Sequence, residues 1–110
     1  MAAYVIEKID RICDAAPIFD LKFSAPDIAA MAKPGQIVHV ICGGDANSLR
    51  RPISICECEG DLVRICFEVR GAGTKELAAR RAGDSIDVIC PYGKGFPELK
   101  VKVALVGGGL

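Results

Sequence analysis

Apolar and polar residues alternate along most of this chain, and the alternation has a period of two. In the stretch IFDLKFS, residues 18–24, Phe19, Leu21 and Phe23 fall on one face and the residues between them are mainly polar. This pattern is typical of a strand with one buried face. The same period runs through five further stretches: AYVIEKI, QIVHVIC, RPISICE, LVRICFEVR and SIDVIC. Turn-forming stretches such as KPGQ, CEGD and RAGD separate them. The pattern predicts a mainly β fold, a closed or nearly closed six-stranded antiparallel barrel of Greek-key type.

Two segments depart from the strand pattern. TKELAARRAG is rich in helix formers, with Thr74 placed to cap its start and Gly83 placed to end it, so it predicts one short helix. APDIAAMAKPG has the composition of a single helical turn before Pro34.

The last residues form a different kind of segment. VKVALV, residues 101–106, is nearly continuous in apolar residues, as in a parallel strand buried on both faces, and three glycines follow. A strand followed by a Gly-rich turn opens a dinucleotide-binding βαβ unit. We therefore expect residues 1–99 to form the barrel, and residues 100–110 to be the first strand and turn of a truncated Rossmann-like, NAD(P)-binding domain. An exposed apolar strand pairs readily, which predicts a homo-oligomer through this C-terminal strand.

Composition narrows the class of protein. The 110 residues are 51% hydrophobic and carry a formal net charge of zero. Neutral charge and only two Tyr and four Phe disfavour a nucleic-acid-binding barrel. No apolar run approaches the ~20 residues of a membrane span, and the N-terminus lacks a signal-peptide hydrophobic region. We expect a soluble, cytoplasmic protein that binds neither nucleic acid nor membrane.

The six cysteines do not have the spacing of a metal site. No C-x2-C pair occurs, and the chain has one histidine, so reduced and mostly packed thiols are expected. Cys56 and Cys58 lie two apart on a predicted strand and would share a face. The chain also shows no nucleophile–base pair or carboxylate dyad, which favours chemistry supplied by a bound cofactor.

Three stretches are candidates for binding such a cofactor. RRPIS places Arg51 at the start of a strand, where its guanidinium suits a phosphate, although a solvated arginine pair is the commoner explanation. VRGAGT combines close-approach glycines at 71 and 73 with a helix start that suits an anion, or is simply a tight turn. In CPYGKGF, Tyr92 and Phe96 would lie against a planar ring or pack over the barrel end.

The order of these stretches, ending with a strand into VGGG, resembles the ferredoxin–NADP reductase superfamily, and within it the family of dihydroorotate dehydrogenase electron-transfer subunits. The resemblance implies that the barrel binds FAD and that a following domain binds NAD(P)H. It also implies a [2Fe–2S] centre on a cysteine cluster that this chain lacks, a catalytic or iron–sulfur partner subunit, and a place in pyrimidine biosynthesis.

The resemblance assigns cofactor-binding roles to the RPIS stretch. It implies that Arg51 pairs with the FAD diphosphate. Pro52 and Ile53 would line the flavin, and Ser54 would hydrogen-bond the edge of the isoalloxazine ring.

Two later stretches receive roles in the same way. Cys66, Phe67 and Glu68 match a strand segment that touches FAD, and Gly73 and Thr74 match the pyrophosphate-binding pair. Glu68 departs from the family pattern, because a basic residue is common there and an acid beside a diphosphate is unfavourable. No residue is assigned a catalytic role. The alternative is a cofactor-free barrel that serves only as an oligomerising or partner-docking domain.

Overall fold

The structure, a computed structural model, describes residues 2–41, 50–97 and 100–107. These residues form six strands and two short helices. The elements are β1 (Ala2–Arg11), β2 (Ile18–Ser24), α1 (Pro26–Met31), β3 (Ile37–Ile41), β4 (Arg50–Glu59), β5 (Leu62–Glu68), α2 (Ala72–Ala78) and β6 (Ser85–Tyr92).

The six strands close into a barrel in the order β1-β2-β5-β4-β3-β6, and every neighbouring pair is antiparallel. Strands β3, β4 and β5 follow one another, and β6 returns to lie beside β3. This is the Greek-key arrangement. Helix α2 lies in the long connection from β5 to β6. The predicted barrel is confirmed. Within the described ranges, no helix is both long and apolar enough to span a membrane.

The barrel interior is filled by the residues that the alternation places on one face. On β2, Leu21 and Phe23 are fully buried, and on β5 so are Val63 and Ile65. The two helices add Ile28 of α1 and Leu77 of α2 to the same core cluster. Leu77 is 0% exposed, so it fixes α2 against the barrel.

Bulges interrupt three of the strand pairs. The register shifts between Ile6 and Lys8 in β1, between Ile37 and His39 in β3, and between Ile55 and Glu57 in β4. A bulge bends its strand and increases the local twist, which helps a six-stranded sheet to close.

The helices differ from their predicted bounds. α2 begins at Ala72 with Gly71 as its N-cap, so Thr74 lies inside the first turn and not at the cap. It ends at Ala78, well before Gly83, because residues 83 and 84 pair with the backbone of Ile6 in β1. Where the pattern predicts one helix and a single turn, the structure has a second helix, α1, which begins at a proline and buries Ile28.

The apolar run at 101–106 is not a strand in this structure. Residues 102–107 have no regular secondary structure, and Leu105 and Val106 are more than 90% exposed. A strand requires a partner for its backbone hydrogen bonds, and none of the described residues pairs with this run. The oligomer through this strand and the assignment of a second domain both stay predictions.

Candidate functional site

A cavity forms where strands β4 and β5 separate. Their pairing runs from Glu59↔Leu62 to Ile55↔Ile65 and ends there. Beyond this point β4 continues beside β3 and β5 continues beside β2, with Glu68 opposite Ile18. The opening is a cavity of about 560 Å³, within the range of small-molecule sites.

Almost every residue that the motifs and the resemblance single out lines this cavity. Eight of the nine predicted binding residues do so: Arg51, Pro52, Ile53, Ser54, Cys66, Phe67, Glu68 and Thr74. Cys56 lines it as well. The ninth, Gly73, is buried in the first turn of α2. Their contact with FAD stays a prediction. Cys56 was missed, although its place two residues after Ser54 on the same strand could have indicated it.

The two arginines of RRPIS have different surroundings. Arg50 bonds the Asp87 carboxylate of β6 at 3.0 Å and donates to the His39 carbonyl at 3.3 Å. Arg51 is exposed at the cavity, and its side chain makes no hydrogen bond or ion pair with a residue that the structure describes. Arg50 therefore ties β4 to β6, and Arg51 is the guanidinium that is able to bind a ligand.

The separation of β4 from β5 explains why a proline is tolerated at position 52. Pro52 lies opposite His39 in the β3–β4 ladder, on a stretch of β4 that has no partner in β5. It was expected at an edge or rim, and in the closed barrel it lies where β4 is paired on one side only.

The floor and wall of the cavity are chemically distinct. Phe67 is 4% exposed and its ring stacks on Phe19, with centroids 5.8 Å apart and an angle of 16° between the planes. Ile53 is also buried, whereas Ser54 is exposed on the opposite face of β4, as the alternation predicts. The result is an apolar floor with a hydroxyl on its wall.

The cavity wall also carries two thiols. The Cys66 thiol donates to Asp20 Oδ1 at 3.8 Å, and Cys56 lies beside it on the cavity wall. Burial first, and then the Cys56 thiol, raise the pKa of Cys66 to about 11. Next to them Arg64 bonds Asp20 at 2.7 Å, and this bond raises the pKa of the arginine further. The Cys66 thiol is therefore neutral at physiological pH, and it forms part of the cavity wall.

The Thr74 hydroxyl is engaged within the protein. It accepts hydrogen bonds from the backbone N–H groups of Arg70 at 2.9 Å and Gly71 at 3.2 Å, and it donates to the Gly71 carbonyl at 3.2 Å. Its side chain thus holds the turn that opens α2. The backbone N–H groups of Gly73 and Thr74 lie in the first helical turn, which offers them no acceptor.

Gly71 has no role in packing. Its φ of −162° is an extended value that any residue adopts, and a Cβ there would meet no protein atom within 4 Å. The open space in front of this residue is compatible with a ligand lying along the turn.

The loop in CPYGKGF packs against its own chain. Phe96 N donates to the Pro34 carbonyl at 2.7 Å, and a Cβ on Gly95 would lie 2.9 Å from the same oxygen. The Phe96 ring is 74% exposed and borders a separate cavity with Lys33 and Lys94. The side chain of Tyr92 lies outside the described residues. The close approach that the glycines permit is therefore between two segments of the barrel.

The site suits a bound cofactor better than side-chain catalysis. Among the described residues, no three of the types His, Cys, Asp and Glu are grouped as a metal site. The cavity offers an apolar floor, a hydroxyl, backbone donors, and a guanidinium that forms no ion pair with any described residue. These groups fit a ligand with a flat apolar ring and an anionic part, as FAD has. Glu68 is the one lining group whose charge opposes such a ligand.

Comparisons with known proteins agree with the fold and the motifs. No protein-family model matches the chain. The chain is 41% identical to the electron transfer subunit of dihydroorotate dehydrogenase B (NAD(+)) from Bacillus cereus strain G9842, over 103 residues that cover 87% of this chain and 40% of the relative. The Bacillus anthracis subunit of strain A0248 is 40% identical with the same coverage. The chain thus spans about two fifths of the length of these relatives.

Solved structures give the same result. The structure of an NADH-dependent reduced ferredoxin-NADP oxidoreductase, described for flavin-based electron bifurcation, superimposes with a TM-score of 0.77 at 28% identity, over 88% of this chain and 35% of that one. A siderophore-interacting protein from Acinetobacter baumannii matches with a TM-score of 0.70 at 13% identity, over 89% of this chain and 43% of that one, and shows the fold alone. By motif order, sequence similarity and fold, the chain is similar to the electron-transfer subunits of dihydroorotate dehydrogenase, and its barrel has the fold of ferredoxin–NADP reductases.

Proposed function

We propose that this chain is the FAD-binding barrel of an electron-transfer flavoprotein subunit, which relays electrons between NAD(P)H and an iron–sulfur partner. The observation that carries the proposal is the gap between β4 and β5. Two segments far apart in sequence, residues 51–54 and 66–68, line this gap together with Thr74. The relatives of this chain are named for electron transfer and flavin chemistry, which supports the same assignment.

Each group around the cavity has a distinct part in this proposal. Arg51 binds the diphosphate, since none of the residues that the structure describes forms an ion pair with its guanidinium. Pro52, Ile53 and Phe67 shield the flavin ring from water on the apolar floor. Ser54 is positioned to hydrogen-bond the polar edge of the ring. Bound FAD supplies hydride acceptance and release of single electrons.

The backbone of the α2 turn, and not the Thr74 side chain, provides the remaining donors. The hydroxyl of Thr74 already makes three hydrogen bonds within the turn. We therefore assign the Thr74 side chain the role of holding the backbone of Gly73 and Thr74 in position. The partner subunit, the cytoplasmic location and a role in pyrimidine biosynthesis belong to this proposal, since the chain spans only part of its relatives.

A cofactor-free barrel that docks a partner is the second candidate. The exposed apolar side chains of Val101, Leu105 and Val106 favour it, because such a run buries itself against another surface. The two candidates differ in whether Arg51 meets a ligand or water.

Flavin binding by the purified 110-residue chain decides between them. We expect a flavin absorption spectrum, or its appearance after addition of FAD and desalting, with saturable quenching of FAD fluorescence. Arg51→Ala should weaken FAD binding about tenfold, because it removes a charge-assisted bond to phosphate. Arg81→Ala, which removes the same charge from the exposed loop after α2, should leave the affinity unchanged. A chain that returns all added FAD would count against the FAD assignment, and equal affinities for both variants would count against the role of Arg51 in binding it.

A further inference from the structure

Arg70, which neither the motifs nor the resemblance single out, lies between two residues of the cavity. Its Nη2 bonds Glu68 Oε1 at 3.1 Å, and its backbone N–H donates to Thr74 Oγ1 at 2.9 Å. Glu68 and Thr74 both line the cavity. Arg70 therefore lies beside two residues that line the cavity, and its guanidinium is bonded to one of them, Glu68.

The charges of the residues that line the cavity affect how well it can bind an anionic ligand. Among the lining residues, Arg51 is the only cation and Glu68 the only anion, and their charges cancel. A diphosphate carries a negative charge on each phosphate, so an uncompensated carboxylate beside it would oppose binding. Arg64, the nearest other arginine on β5, is committed to Asp20 and Glu57.

We infer that Arg70 is a specificity-determining residue that gives the cavity its second cation and recognises the phosphate-bearing part of the ligand. The inference rests on the proposed binding of FAD. A guanidinium has five N–H donors, so its bond to Glu68 leaves donors for a phosphate. The Arg70 side chain is 79% exposed and is free to reorient toward an anion, whereas Glu68 is 30% exposed and stays at the wall.

Glu68 has a positioning role in this arrangement. In the free protein the carboxylate holds Arg70 near the cavity and neutralises it. When a diphosphate binds, the guanidinium lies between two anions and reduces the repulsion between them.

Equilibrium titration of the full chain with FAD and with riboflavin tests the inference. Riboflavin has the same ring system without phosphate, so Arg70→Ala should weaken FAD binding about fivefold to tenfold and leave riboflavin binding unchanged. Arg70→Lys should restore part of the FAD affinity, since a lysine keeps the positive charge. Arg81→Ala is the matched control, because it also removes one exposed arginine.

Salt dependence gives a second readout. The FAD affinity of the Arg70→Ala protein should fall less steeply with added NaCl than that of the unaltered chain, since one cation no longer contributes. Tight FAD binding that Arg70→Ala does not alter would overturn the inference and leave the FAD assignment standing. Equal losses for FAD and riboflavin would also overturn it, since they would indicate a general change in the turn. A chain that binds neither flavin would overturn both proposals.

Discussion

The Thr74 hydroxyl offers a test of how the first turn of α2 is built. Thr74→Val replaces the hydroxyl by a methyl group of similar size and removes two accepted bonds and one donated bond. Each net hydrogen bond contributes ~0.5–1.5 kcal/mol, and loss of a side chain that caps a helix start costs ~1 kcal/mol. Because Arg70 and Gly71 are exposed and water replaces part of the lost bonding, we expect a loss of about 1.5 kcal/mol.

The measurement is urea or thermal unfolding of the protein without added flavin. For a chain of this length a loss of about 1.5 kcal/mol corresponds to a decrease in Tm of about 6 °C. Thr74→Ser keeps the hydroxyl and should lie close to the unaltered protein, while Lys75→Ala controls for a change on the exposed side of the helix. If Thr74→Val and Thr74→Ser have the same Tm as the unaltered chain, the hydroxyl does not hold the turn. Its assignment to ligand binding would then be open again.

Three other predictions concern packing and titration. Leu77→Ala removes the fully buried side chain that anchors α2 and should lower the free energy of unfolding by ~3 kcal/mol in urea titration; a loss below ~1 kcal/mol would contradict that packing. Gly35→Ala places a Cβ 2.8 Å from Phe96 N at a φ of +93°, so we expect a destabilisation of at least ~2 kcal/mol, and an unchanged Tm would refute the close approach. Cys66, whose pKa is raised to about 11, should react with iodoacetamide about tenfold faster for each pH unit between 7 and 10, since the thiolate fraction rises in that proportion. Mass spectrometry of the alkylated peptide measures this rate, and a plateau by pH 9 would contradict the raised pKa.

The order of motifs was sufficient to predict the fold and most of the residues that line the cavity. RPIS lies on a different strand from the CFE segment, which GAGT follows closely, and the structure brings residues of all three stretches to one opening. The expectation that Thr74 caps the start of α2 was less accurate. The sequence shows that a hydroxyl stands near a helix start, but not which backbone groups it bonds. The role of Arg70 could not be predicted from the sequence for a similar reason. Its relation to Glu68 depends on how the chain turns after β5, and that turn is set by the contacts of α2 with the barrel.

The end of the chain shows the limit of pattern reasoning most clearly. The composition of VKVALV is that of a buried parallel strand, and the same residues are exposed without regular structure here. A strand is a property of two segments, since its hydrogen bonds are made with a neighbour. A single segment therefore does not decide the outcome.

By itself the sequence determined the period-two alternation, and hence which face of each strand enters the core, because successive side chains in a strand point to opposite sides. It also determined where the turns fall. Only the tertiary structure decided where β4 and β5 part, which arginine of RRPIS faces the cavity, and which thiols meet on its wall. These features follow from strand register and from the bulge between Ile55 and Glu57. Register is fixed by the packing of all six strands together, so no local stretch of sequence contains it.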